Sequence, residues 1–445
     1  MFKREFEKLK DITLKSVYEK LLGKIKDVNS ILQTLTQQAL DLQKVKGKRE
    51  TSQKRFSMYQ KIRKHARSLH NAVIGGQCWG CDCGHQHFVN LRLEPGSFGG
   101  ESDDSPNILR PRFRLVLFSS STETSMGAPW RWQEVEIEPV EMAKKGSPHG
   151  KHSQQAKAVS GPISVSRKLR WADFESSEEK SDPVQTGQPI LDICSTLASS
   201  CMTCPRQESI GFLLDQFDEQ RQHRIYLIRT QVRELQTKSL EDILTSRAAL
   251  TTPRPGVNLM LSPRKRLYIA ATLASSVLQL HGNWLKAKWR TRDILFPEDV
   301  EDLKLLLDYP YVSWSVPGKN KQLEDTSVSS RIDHPLIRGK IMLPLGLALV
   351  EISLGHRLAD LRMPIDDHPD EAVANLTTAT RLLDAGEVND WSGTRYHEVV
   401  KTCLSWASVE ERGLDDERTQ RDVFESIVSP LLENLKDSEG RGQIQ

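Results

Sequence analysis

The sequence predicts an α+β protein, mostly helical: an N-terminal helical hairpin or bundle, a small antiparallel sheet, and a helical C-terminal half. Three observations carry this. Apolar residues recur at steps of three and four through the first seventy positions, the period of one helical face. Runs near 83–93, 110–119 and 130–139 alternate apolar and polar residues, the period of a half-buried strand. After Ser262 the helical period returns and persists to residue 435.

A chain of 445 residues has room for two or three cores. Its net charge of +3 is nearly neutral, but residues 1–70 hold about eighteen Lys and Arg against about seven Asp and Glu. The start, Met1-Phe2-Lys3-Arg4-Glu5-Phe6, has no apolar stretch behind its charges, and the run Ile341–Val350 is too short to cross a bilayer. The expectation is an intracellular, cytoplasmic protein, with its seven cysteines as thiols or metal ligands rather than disulfides.

In order along the chain, Leu14, Val17, Leu21, Ile25, Val28, Leu32, Leu35, Ala39 and Leu42 form a heptad-like seam. Such a stripe needs a partner helix, so a protein partner is expected here. Lys46-Gly47-Lys48 is expected to break the helix. A second helix over Ser52–Val73, with Phe56, Tyr59, Ile62, His65 and Leu69 on one side, would complete a hairpin. The region lacks a nucleic-acid recognition motif, and its seam lacks the Trp and Phe of an interfacial helix. A nucleic-acid partner is therefore not expected, and a membrane surface is the weaker reading beside a protein.

Cys78-Trp79-Gly80-Cys81-Asp82-Cys83-Gly84-His85-Gln86-His87 follows. Thiolates and neutral imidazoles are zinc ligands, and Cys-x-x-Cys is a common half-site. Cys78 and Cys81 with the distant Cys201 and Cys204 would make a four-thiol zinc site. The competing reading places Cys83, His85, His87, Val89 and Leu91 on one face of a strand, with the cysteines as small buried hydrophobes. A redox role for either Cys-x-x-Cys lacks the strand–helix setting it needs.

Arg110–Ser119 and Trp130–Pro139 read as strands around a polar loop. Residues 141–188, rich in Lys, Ser, Gln, Pro and Glu, read as a disordered linker. Ile190–Leu197 reads as a short helix, Ile210–Asp215 and His223–Ile228 as a hairpin, and Leu240–Leu244 as a helix start. Ser262 is a suitable N-cap with Pro263 in the first turn of an amphipathic helix ending near His281. Leu336–Gly355 contains a helix apolar nearly all round, with Pro344 in its first turn or kinking it and Gly355 stopping it. Glu371–Leu383, Tyr396–Ala407 and Val423–Leu435 complete the helices. Pro430 must kink the last or start a new segment, and the tail after Asp437 should fray.

Leu280-His281 followed by Asp293-Ile294-Leu295-Phe296, and the helix Leu345-Gly346-Leu347-Ala348-Leu349-Val350-Glu351-Ile352, resemble two stretches of the protein-kinase large lobe. With Trp79-x-Cys81-x-Cys83, these strings are similar to a fungal family that joins a helical N-terminal region to a degenerate kinase-like part. That family is in turn similar to HeLo-type proteins associated with heterokaryon incompatibility and self/non-self recognition. The resemblance implies a helical region at 1–75, small-lobe strands at 76–140, the linker at 141–188, the rest of the small lobe at 189–250, a helical large lobe at 251–437 and a tail at 438–445. It also implies a longer N-terminal helical region than this chain has, as in a truncated form.

The kinase chemistry does not carry over with the strings. Phosphoryl transfer needs a base and metal-holding carboxylates. If Asp293 takes the metal-binding Asn position, Lys288 falls where the base should be, and a cationic Lys cannot accept a proton. Asp308-Tyr309-Pro310 is the nearest match to Asp-Phe-Gly, with Asp308 as a second ligand candidate. No Gly-rich loop lies near 83–140, and the Asp expected at the start of the buried helix is replaced near Lys340-Ile341. The expectation is a non-catalytic scaffold or signalling protein with no cofactor. The alternatives are an atypical kinase or nucleotide-binding protein using Asp293 for metal, and a zinc-stabilised binding module. Trp284, Trp289 and His281 read as packing residues, and Asp215 as a turn residue.

Overall fold

The structure, a computed structural model, describes residues 2–75, 78–83, 85–95, 111–120, 132–141, 187–200, 209–215, 217–229, 235–245, 261–299, 304–305, 307–316, 336, 340–406 and 413–441. The linker expected at 141–188 therefore lies, except for its ends, outside the described residues, as do Cys201 and Cys204. The chain divides into two units, residues 1–61 and 62–445.

The expected hairpin is replaced by one helix, α1, running from Phe2 to Val73. Gly47 does not break it: a glycine inside a helix costs roughly 1 kcal/mol relative to alanine, which long flanking helix on both sides absorbs. Gly47 is not among the glycines with a positive φ, so the position carries no left-handed turn. Along residues 17–42 the seam is exposed, with Val17, Leu21, Ile25, Val28, Leu32, Leu35 and Leu42 each more than half accessible. In the larger unit the end of the same helix buries Ile62, Ala66, Leu69, Ala72 and Val73.

The strands form one antiparallel sheet. They are β1 (Gln86–Arg92), β2 (Phe113–Ser120), β3 (Trp132–Glu141), then, after α2 (Ile193–Ser200), β4 (Ser209–Asp215), β5 (Asp218–Arg229) and β6 (Leu235–Ser239). After α3 (Leu240–Thr245) and α4 (Pro263–Leu280) come β7 (Ile294–Asp299), β8 (Lys304–Leu305) and β9 (Tyr311–Val316). The order across the sheet is β4-β5-β3-β2-β1-β9-β7-β6, with β8 on β7. β9 slots between β1 and β7, with Asn90 opposite Ser313 and Ile294 opposite Val312. The strands after α4 thus extend the sheet formed by those before it. His87, Val89 and Leu91 are buried along β1, as their alternation predicts.

Ser262 caps α4 by accepting from Lys265 N–H, with Pro263 in the first turn. From Ile269 to Leu280 every residue of α4 is buried. The remaining helices are α5 (Leu343–Leu354), α6 (Leu358–Leu361), α7 (Glu371–Asp384), α8 (Glu387–Ser392), α9 (Thr394–Ser405), α10 (Glu417–Val423) and α11 (Ser429–Arg441). Pro344 sits in the first turn of α5, and Gly355 closes it at φ 73°, the left-handed conformation that glycine adopts without a Cβ clash. Pro430 is the second residue of α11, which follows directly on a π turn over Phe424–Val428, where the Ser429 N–H reaches back to Phe424 O. That wider turn carries the chain past the proline without ending the helical path. α11 continues to Arg441, beyond the expected limit at Asp437.

The end of α1 is fastened by polar contacts within the larger unit. Arg63 donates to Leu278 O and to Asp415, and Ser68 Oγ donates to Asp215 Oδ2 at 2.6 Å. With its proton on Asp215, Ser68 Oγ accepts from His223 Nε2 at 2.9 Å. Asp215, expected as a turn residue, also accepts from Phe217 N–H, so it serves both the turn and this buried contact.

Candidate functional site

The helix α4 ends at His281, whose backbone N–H bonds to Val277 O. The chain then folds back through buried Trp284 and Trp289, and a 3-10 turn over Thr291–Asp293 delivers it to β7. A cleft of about 930 Å³ opens beside this loop, lined by Lys288, Arg290, Arg292, Glu351 and Glu371 among others.

Lys288 is exposed on the cleft wall. Asp293 does not line it: its Oδ2 accepts from Arg290 N–H at 2.8 Å, capping its own turn. Asp308 does not line it either. Its carboxylate pairs with Lys265 in the first turn of α4, and its carbonyl accepts from Tyr268 Oη. Three of the four carboxylates that line the cleft have local partners, and the fourth, Glu241, stands near enough to Glu351 to raise its pKa. Glu351 accepts from Thr291 Oγ1 at 2.9 Å and from Leu358 N–H at 3.0 Å. Burial pushes its pKa up, against the pull of those two hydrogen bonds. Asp370 caps α7 through Ala372 N–H, and Glu371 pairs with Arg290.

A second candidate lies at the start of β1. Cys81, Cys83, His87 and Cys194 bring their ligand atoms within 4.8 Å of one another. Cys81 and Cys83 lie in the turn before β1, His87 is the second residue of the strand, and Cys194 is in the first turn of α2. Cys83 Sγ is 3.4 Å from Cys81 Sγ and 4.0 Å from Cys194 Sγ. His87 Nε2 is 3.7 Å from Cys81 Sγ and 3.6 Å from Cys83 Sγ. The sulfurs are too far apart for disulfides, which need about 2.05 Å. The imidazole is 1% exposed with Trp79 tilted against it at 5.0 Å. Burial lowers the His87 pKa and raises that of Cys81.

This is only partly the zinc set expected from the sequence. Cys81 belongs to it, but Cys78 does not. The Cys78 thiol faces Ala72 O and Val73 O, 3.3 and 3.7 Å away, and burial pushes its pKa up to about 12. Cys78 contributes through its backbone instead, its carbonyl accepting from Ile193 N–H and so seating the start of α2. Among the described residues this is also the one group of three or more potential metal ligands that converges; neither Asp293 nor Asp308 joins one.

A family model described as a domain of unknown function (DUF7580) matches residues 56–438. The chain belongs to the DUF7580 family. A search among curated proteins finds no match. The DUF7580 match begins within α1 and ends within α11, so the whole sheet, the loop 281–293 and the thiol cluster fall inside it, and the exposed seam of α1 falls outside.

Sequence reasoning missed Cys194 as part of a site. A single cysteine in a short apolar helix gives no spacing signal, and only the fold brings it to Cys83. Cys83 and His87 were legible as ligand types. Their Cys-x-Cys-x3-His spacing, with both thiols ahead of the strand and the imidazole near its start, is the signal that separates them from core residues. No helix among the described residues is long and apolar enough to cross a membrane.

Proposed function

We propose that this chain is a non-catalytic scaffold or signalling protein built on a degenerate kinase-like domain. We further infer that it works in the cell interior, in a setting such as fungal self/non-self recognition. The strings Leu280-His281, Asp293-Ile294-Leu295-Phe296 and Leu345–Ile352 support the kinase-like reading of residues 76–437. The observation that carries the non-catalytic reading is the state of the cleft. Lys288 stands on its wall, while Asp293 and Asp308 are held elsewhere by Arg290 N–H and by Lys265. A phosphoryl-transfer centre needs carboxylates converging on a metal and a base on the substrate hydroxyl. Here Asp293 and Asp308 turn to local structural partners.

Partner contact is assigned to the seam of α1. A row of leucine, isoleucine and valine with more than half its surface exposed is stable in water when a second helix covers it. The helix that fits it best is a second copy of α1, whose apolar spacing matches its own and whose flanking positions are almost free of charge.

One observation favours a nucleotide-binding alternative: the cleft is large enough for a small molecule and carries Lys288, Arg290 and Arg292. The two readings separate by experiment. The full chain is melted with and without ATP and magnesium or manganese, and tested for transfer of radiolabelled phosphate. The scaffold reading expects no transfer. Robust transfer abolished by Asp293→Ala overturns it in favour of an atypical kinase. A nucleotide-dependent rise in melting temperature without transfer keeps the domain non-catalytic but assigns it a ligand.

A further inference from the structure

We propose that Cys81, Cys83, His87 and Cys194 bind one structural zinc ion, which fastens α2 to the start of β1. Tetrahedral zinc holds thiolate sulfur at about 2.3 Å and imidazole nitrogen at about 2.0–2.1 Å, which sets the sulfur–sulfur edge near 3.8 Å and the sulfur–nitrogen edge near 3.6 Å. The protein presents sulfur–sulfur edges of 3.4 and 4.0 Å and sulfur–nitrogen edges of 3.7 and 3.6 Å. The remaining edges lie within the 4.8 Å that encloses the whole group. Four ligand atoms thus already stand near the corners of a zinc tetrahedron. Three neutral thiols and an imidazole gain little from each other in such an arrangement, since sulfur makes only weak hydrogen bonds.

The chemistry of the donor set selects the ion. Three sulfurs and one nitrogen suit zinc rather than calcium or magnesium, which take oxygen. Four protein ligands leave no position for water or substrate, so the site is structural rather than catalytic. On binding, the three thiols release their protons to solvent, His87 coordinates as the neutral imidazole, and the loaded site carries one negative charge. At Cys194 the first N–H groups of α2 are already bonded, Ile193 N–H to Cys78 O and Cys194 and Ser195 N–H to the Asp192 carboxylate, so it is the metal that draws off the thiol protons. Trp79 packs against the imidazole and limits its rotation.

The site also explains why these elements meet. Three ligands come from one stretch of seven residues, and the fourth lies 111 positions from Cys83 in sequence. A metal that joins them closes a long segment and fixes the position of α2, whose Ile193 N–H already reaches Cys78 O.

The full chain, purified without chelator and dialysed, should contain one zinc per molecule by inductively coupled plasma mass spectrometry. Replacement by cobalt(II) should give the visible d–d bands of a tetrahedral site and a sulfur-to-metal charge-transfer band. Cys83→Ser and Cys194→Ser should each lower zinc affinity at least tenfold, and His87→Ala should shift the cobalt bands. Cys78→Ser and the pair Cys201→Ser and Cys204→Ser should leave zinc content and the cobalt spectrum unchanged. If the serine variants fail to fold, cobalt titration of chelator-treated wild-type protein still decides the matter. The proposal is overturned by absence of zinc together with absence of tetrahedral cobalt bands, or by a disulfide between these cysteines in the purified protein. It is equally overturned if zinc survives loss of Cys83 and Cys194 but is lost with Cys78, Cys201 and Cys204.

Discussion

Trp284, in the loop that follows α4, donates its indole N–H to the carbonyl of Ala66 in α1 at 2.9 Å. The indole is 1% exposed, and the His70 ring stands edge-on to it at 5.3 Å. Trp314 of β9 in turn donates to Trp284 O at 2.7 Å. The loop 281–293 is thereby a packing junction for a helix and a sheet. Trp284→Phe keeps most of the ring but removes the donor. It should lower unfolding free energy by about 1–3 kcal/mol, combining the lost hydrogen bond and the smaller ring. Trp284→Ala should cost about 3–5 kcal/mol. Urea unfolding measures both, and a change below about 0.5 kcal/mol for Trp284→Phe, the level of an ordinary surface substitution, would show that the junction is not under load.

Gly346 predicts a different kind of sensitivity. A Cβ there would stand 2.7 Å from Leu404 Cδ2 and 3.0 Å from Cys403 Cβ on α9. The leucine tip can move, but Cys403 Cβ is fixed to the backbone of a buried helix. Gly346→Ala should therefore destabilise by about 1–3 kcal/mol through overpacking, outweighing the gain in helix propensity of about 1 kcal/mol. The same change at Gly47, where nothing lies within 4 Å, should stabilise α1 or leave it unchanged. Thermal melts of the two variants should move in opposite directions or differ by several degrees.

Burial lowers the pKa of His70 and His223 to about 4 each. At His223, Asp215 pulls upward while His65 and Arg221 push downward with the desolvation. In the unfolded chain both histidines take up a proton near pH 6.5. Between pH 6.5 and 4 the unfolded state thus holds more protons than the fold, and stability falls as pH falls. The contribution is complete above pH 6.5. His223 alone should add up to about 1.4 kcal/mol per pH unit to that slope. His223→Gln should make the urea midpoint less dependent on pH across this window. An unchanged slope would mean that His223 is already charged in the fold.

What could be seen in the sequence followed the range of the interactions concerned. Ser262 and Gly355 were legible as helix ends because a cap involves neighbours within one turn. The strands β1, β2 and β3 were legible because alternation is local to each. β9 was not, since its partners are remote: Gln86 donates to Ser315 across 229 positions, and no turn signal links the two strands. Asp308-Tyr309-Pro310, a metal-motif candidate by sequence, leads directly into that strand. Gly47 misled in the opposite sense, since a local helix breaker is overruled by the length of helix on each side. The thiol site shows both limits. Cys81, Cys83 and His87 lie close in sequence and were visible as ligand types, while Cys194 is brought to them by the packing of α2.

The seam of α1 has a more regular spacing than a general apolar stripe. Tyr18, Ile25, Leu32 and Ala39 recur every seven residues, and Leu21, Val28, Leu35 and Leu42 stand three residues after each. These are the a and d positions of a coiled coil over four heptads. The flanking e and g positions are Leu22, Asn29, Thr36 and Gln43, and Lys24, Ile31, Gln38 and Val45, so Lys24 is the one charge among them. Two copies in parallel register would therefore meet with apolar cores aligned and almost no like-charge repulsion at their edges. A partner of fixed charge would find nothing there to select it. The full chain should sediment at about twice its 50.5 kDa mass. Leu21→Glu with Leu35→Glu should reduce it to the monomer mass without changing the melting of the larger unit, because each copy would bury two carboxylates against its partner. A wild-type chain that sediments as a monomer at every concentration would remove the second copy as the occupant of the seam.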